Sequence, residues 1–106
     1  MWVLRSALWV MAALVSFQTL PSDARKAEIR IDQFSFSPAV LTVKTGTPIT
    51  WTNNDDIPHT VVDNGHTFKS KVLGTGEKFT FTADKPGSYS YSCSIHPNMT
   101  GKVIVK

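Results

Sequence analysis

The sequence is poor in sulfur, in clustered charge and in long apolar runs, and each shortage removes a class of protein. With one cysteine, Cys93, among 106 residues, no internal disulfide can form. Lys and Arg number 11 against 8 Asp and Glu, for a net charge of +3. These charges are dispersed along the chain, so neither nucleic acid nor an anionic membrane surface is indicated as a partner. The longest apolar run, Ala7 to Val15, falls short of the roughly 20 residues a bilayer-spanning helix needs. No stretch repeats its apolar residues at a helical period for long enough to mark an amphipathic helix.

What is present is an ordinary globular composition, 42% apolar and 18% charged, of single-domain length. The first residues differ from the rest. Arg5, the short apolar run, Pro21 and the small residues Ser22 and Ala24 have the layout of a secretory leader cleaved after Ala24. Residues 1–24 are therefore expected to be a signal peptide and residues 25–106 the mature domain. An uncleaved leader, with only Arg5 before its apolar run, would instead tether the protein to a membrane.

From residue 27 onward the pattern is short β-strands punctuated by turn signals. "AEIRID" alternates, with Ile29 and Ile31 on one face, and "FSFSP" is expected to continue inward with Phe34 and Phe36. Leu41 and Val43, then Ile49, Trp51 and Asn53, share inward faces. So do Phe79 with Phe81, Tyr89 with Tyr91 and Cys93, and Val103 with Val105. A short strand is expected in "PHTVV", and the polar stretch 63–76 reads as loop with one weak strand at 67–69. Short strands about ten residues apart predict an all-β antiparallel sandwich or barrel in one domain.

The sulfur of the mature domain is concentrated in one loop. Cys93 and Met99 flank His96 at spacings of three in "SCSIHPNMTG", and Cys93 lies at the inward parity of its strand. A lone cysteine in an exported chain is an idle buried thiol, an intermolecular partner or a metal ligand. Two further histidines can complete a site: His59, between a polar loop and a strand, and His66, within the long polar stretch. A thiolate, two imidazoles and a thioether suit blue copper, whose trigonal His2Cys plane carries a long, weak axial Met. Structural zinc gains little from methionine, and calcium and magnesium want oxygen donors.

The stretches "WTNNDDIPHTVV" and "YSYSCSIHPNMTGKVIV" resemble the two copper-binding stretches of the cupredoxins, the type 1 blue copper proteins. The Cys-x2-His-x2-Met loop is similar to that of the amicyanins. The resemblance implies a Greek-key β-sandwich and one copper ion per chain, held by His59, Cys93, His96 and Met99. It puts at Asn53 the family's asparagine that ties the two ligand loops together. It also implies a monomeric one-electron carrier in the bacterial periplasm, not an enzyme. Transient redox proteins would be its partners, with a dehydrogenase as donor and a c-type cytochrome as acceptor. A copper carrier or storage protein is the alternative.

The chain departs from the amicyanin pattern at Ile95, where a proline commonly precedes the second histidine, and at Asn98, where the family residue is often bulkier and apolar. Unlike proline, Ile95 has an amide N–H, which is expected to donate to the Cys93 sulfur and raise the redox potential. Pro38, Ile57 and Pro97 are expected to form an apolar collar around His96.

Overall fold

The structure, a computed structural model, describes residues 27–106; the leader expected at residues 1–24 lies outside the described residues. Eight strands are found there: β1 (Ala27–Asp32), β2 (Ser35–Ser37), β3 (Val40–Val43), β4 (Pro48–Asn53), β5 (Val62–Asp63), β6 (Lys78–Thr82), β7 (Gly87–Ser92) and β8 (Thr100–Val105). They form two four-stranded sheets, ordered β2-β1-β4-β6 and β3-β8-β7-β5. The described residues contain no helix.

The alternation written in the sequence becomes the inner face of this sandwich. Ile29, Ile31, Ile49, Trp51 and Asn53 are wholly buried, and their odd-even neighbours on β1 face out. Tyr91, Cys93, Val103 and Val105 supply the opposite layer. Trp51 sits at the centre, with Phe68, Phe79 and Tyr91 rings at 5.4–5.6 Å. Removing such side chains from water contributes about 1.5–3 kcal/mol each, the main force holding the two sheets together.

Several expectations are corrected. The sheets are mixed, not purely antiparallel: β1 pairs parallel with β4, and β3 parallel with β8. The cause is that β3 joins the other sheet, so β4 returns beside β1 in the same direction. Phe34 is 55% exposed, while Phe36 is buried as expected. Asp32 pairs with Ser35, so Gln33 and Phe34 form a two-residue hairpin turn, with φ of 53° and 59°. Left-handed backbone costs roughly 1–2 kcal/mol per residue that is not glycine, and hairpin turns of this kind usually use Asn-Gly.

The strand expected over "PHTVV" is confined to Val62–Asp63, because the amides before it are engaged elsewhere. His59 N–H donates to the Leu73 carbonyl at 3.1 Å and Thr60 N–H to the Cys93 sulfur at 3.3 Å. Residues 67–69 form no strand, only an isolated bridge from Lys69 to Val62. Yet Phe68 and Leu73, within or beside the stretch read as polar loop, are core residues.

The parallel pairing of β1 and β4 matches Ile31 with Asn53, so both strands end on the same side of the sandwich. The turn at 33–34 and the loop leading to His59 therefore emerge together. The β7–β8 connection joins them, since Thr60 contacts Cys93.

Candidate metal centre

The loop from Cys93 to Met99 links the last two strands, whose final pair is Ser92 with Thr100. Its backbone closes on itself: Cys93 N–H donates to the Met99 carbonyl at 3.1 Å, and Met99 N–H to the His96 carbonyl at 2.9 Å. These bonds fold the three-residue spacings into a tight turn, with Cys93 and Met99 buried and His96 half-buried at its rim. His59 enters from the β4–β5 connection and is fully buried.

The Cys93 sulfur lies 3.8 Å from His59 Nδ1 and 3.6 Å from His96 Nδ1. One ligand atom from each of the three residues falls within 4.8 Å of the others. For metal–sulfur and metal–nitrogen bonds of about 2.3 and 2.0 Å, donors 120° apart are separated by about 3.7 Å. Both sulfur–nitrogen spacings therefore fit a single first-row ion shared by these residues, and the nitrogen and sulfur donors suit a soft or borderline metal. His66, the other histidine weighed from the sequence, is exposed in the loop after Asp63 and is not part of the cluster.

Behind His59 stands a residue that the sequence reading missed. Asp55 Oδ2 lies 2.7 Å from His59 Nε2, so that nitrogen donates to the carboxylate and the ring is held with Nδ1 facing the sulfur, where it would serve as a metal ligand. Asp55 also accepts from the backbone N–H groups of Gln33 at 2.7 Å and Phe34 at 3.0 Å. Burial pushes this carboxyl up, but the two amides and His59 outweigh it and hold it below the ordinary carboxylate value. An acidic residue four positions before a candidate ligand was the available signal.

Asn53 is buried, and its amide is well supplied, but its partners differ from those expected. Its Nδ2 donates to the Ile57 and Leu73 carbonyls at 3.0 and 2.8 Å, and its Oδ1 accepts from Asp55 N–H at 2.8 Å. Asn53 thus shapes the loop leading to His59. The tie between the two ligand-bearing stretches is Thr60. Its hydroxyl oxygen accepts from Ser94 N–H at 2.8 Å and lies 2.8 Å from the Ser94 hydroxyl.

The donors found at the Cys93 sulfur are likewise not those expected. They are Thr60 N–H at 3.3 Å and the Thr60 hydroxyl at 3.7 Å; among the described residues no bond from the Ile95 amide reaches it. Burial pushes the Cys93 thiol up, but the Thr60 amide, both imidazoles and the Thr60 hydroxyl together bring it down to about 6. The site thus favours the thiolate, the form that binds metal. Thr60→Val keeps the amide bond and removes the hydroxyl. It is expected to lower the redox potential of the metal-loaded protein and to cost about 1 kcal/mol of stability. Voltammetry and denaturant unfolding measure the two effects.

Comparison with known proteins agrees with this geometry. The family model for the cupredoxin-like domain matches residues 5–105. The chain belongs to the cupredoxin-like family. It is 31% identical over 106 residues to amicyanin-alpha of Methylorubrum extorquens, covering 95% of this chain and 87% of that protein. Among solved structures, it is similar to a purple cupredoxin from Nitrosopumilus maritimus, with a TM-score of 0.73 and 35% identity, covering 76% of this chain and all of that one. A Cu(I) form of an amicyanin variant gives a TM-score of 0.72 at 27% identity, covering 76% of this cupredoxin and 82% of the variant.

Proposed function

We propose that this cupredoxin is a one-electron carrier whose single copper ion would be held by His59, Cys93 and His96, with the Met99 thioether as a weaker fourth donor. The observation that carries the reading is the convergence of one sulfur and two imidazole nitrogens within 4.8 Å. Copper bound by such a set would supply a Cu(II)/Cu(I) couple that exchanges one electron with a partner.

The chain's own residues keep that exchange from disturbing the site. Asp55 fixes the His59 ring from behind, and Thr60 spreads charge from the Cys93 sulfur. Pro58 and Pro97, next to the two histidines, restrict their own φ and bias the preceding residue to extended backbone. A site that holds its shape in both states has little to rearrange when an electron arrives.

His96 is the port through which a partner would exchange that electron, because it is only half-buried whereas His59 is fully buried. The exposed apolar side chains in this region are Phe34, whose ring centroid is 5.1 Å from that of His96, and Ile95, 46% exposed. Of the collar expected from sequence, Pro38 and Pro97 are exposed and Ile57 is half-buried. Small apolar contacts of this kind suit transient redox encounters. Export of residues 25–106 to the periplasm, with a dehydrogenase donor and a c-type cytochrome acceptor, completes the proposal.

Copper titration followed by visible spectroscopy and voltammetry tests it. An intense thiolate-to-copper band and a reversible one-electron wave are expected; a colourless complex that passes its metal to a chelator without a redox wave would favour copper carriage. Metal removal is expected to lower the melting temperature. At a thousandfold excess over Kd, ligand binding adds about 4 kcal/mol. For a domain of this size that is a shift of more than about 10 °C. Apo and loaded forms melting together would contradict it.

A further inference from the structure

We propose that Asp55 is a positioning residue that locks the Phe34 ring as a lid across both imidazoles of the metal centre, an inference that rests on the copper reading above. The starting observation is a turn that its own residues do not favour. Gln33 and Phe34 both adopt left-handed backbone, and neither is glycine, asparagine or aspartate. Something outside the hairpin must hold it.

The Asp55 carboxylate is that support. Oδ1 accepts from Gln33 N–H at 2.7 Å and Oδ2 from Phe34 N–H at 3.0 Å, while Oδ2 also lies 2.7 Å from His59 Nε2. Asp55 is anchored in turn, its N–H donating to Asn53 Oδ1 at 2.8 Å and its carbonyl accepting from the Thr75 hydroxyl at 2.5 Å. One carboxylate therefore grips the back of a metal histidine and the backbone of the turn together.

The consequence lies in the Phe34 ring. It stands edge-on to His59, with centroids 5.7 Å apart and planes at 89°, and edge-on to His96 at 5.1 Å and 87°. A ring 55% exposed to solvent gains little from burial, so its place over the imidazoles is set by the turn that carries it. There it packs against both ligand rings, shielding them on that side from water and competing ligands, and it restrains His96, the ligand on the more exposed side. The lid slows escape of copper from the site.

Two measurements test this. In the metal-free protein, NMR is expected to show slowed amide exchange at Gln33 and Phe34 and cross-relaxation between the Phe34 ring and both imidazoles. Asp55→Asn should lose these signals, and adding Gln33→Gly, which accepts left-handed backbone without strain, should restore the ring contacts. In the copper-loaded protein, release to a chelator should quicken in Phe34→Ala. In Asp55→Asn it should quicken by about ten- to hundredfold, and Gln33→Gly should recover part of that loss. Phe34 ring contacts that persist in Asp55→Asn would overturn the positioning role, and parental release from Phe34→Ala would overturn the lid. If the chain takes up no copper, the functional proposal fails, and the metal-free NMR still decides the role of Asp55.

Discussion

Cys93→Ser is expected to abolish the visible charge-transfer band and the reversible redox wave while leaving the sandwich folded. The thiolate is the donor that makes the site soft. It also brings the negative charge that would leave a Cu(II) site at +1 and a Cu(I) site neutral. A serine hydroxyl in its place stays protonated near neutral pH and offers only a weak, hard oxygen. The two imidazoles remain, so residual copper binding should be weaker and its spectrum featureless. Folding should survive because the new hydroxyl occupies the same buried position and can accept from Thr60 N–H. His96→Gly is the informative contrast: it keeps the sulfur and should retain a visible band that changes when free imidazole is added. Absorption spectra and voltammetry of the two variants check this. A blue Cys93→Ser protein would show that the electron-donating orbital of the band is not on the Cys93 sulfur.

The largest stability effect is expected at Trp51. This indole is fully buried on β4, the strand between β1 and β6, and packs against Phe68, Phe79 and Tyr91. Trp51→Ala should cost about 3–5 kcal/mol, transfer and cavity effects together. Native proteins have only about 5–15 kcal/mol of stability, so the variant should lose a large share of it and melt more than about 10 °C lower than the parent. Trp51→Phe should behave quite differently. Trp51 Nε1 and the Tyr91 hydroxyl are both buried without a hydrogen-bond partner. Removing that unsatisfied donor offsets part of the lost contact area, for a net change of about 1 kcal/mol. Denaturant unfolding separates the two variants, and equal midpoints for Trp51→Ala and the parent protein would contradict the packing argument.

The inner faces could be read from sequence because a strand alternates with period two, a local property. Ile29, Ile31, Ile49, Trp51, Val103 and Val105 all lie where alternation puts them. Strand partnership could not be read, because pairing β3 with β8 joins segments some sixty positions apart and leaves no local mark. Phe34 was misplaced for a related reason. Its turn carries no glycine or asparagine, and the groups that bend it belong to Asp55.

At the metal centre, the convergence of Cys93 and His96 was visible as spacing within one loop. His59 was singled out by resemblance to a family. Asp55 was a local signal passed over, four residues before His59, whereas Thr60 escaped notice because its role exists only once distant segments meet. Thr60 lies 33 residues from the sulfur it donates to. The same limit explains Asn53 and Ile95: parity predicted the burial of the first, but neither parity nor resemblance could say which atoms each would face.

The parallel partnership of β3 and β8 also bears on how the molecule is made. Lys102 is the register partner of Val40, and β3 has no other neighbour in its sheet. β3 can therefore acquire its ladder only once β8 has been made and is free to pair, and the Cys93–Met99 turn has no anchored far side until then. Metal loading consequently has to wait for β8: a nascent fragment ending before that strand would carry the sulfur and both imidazoles without the frame that brings them to one point.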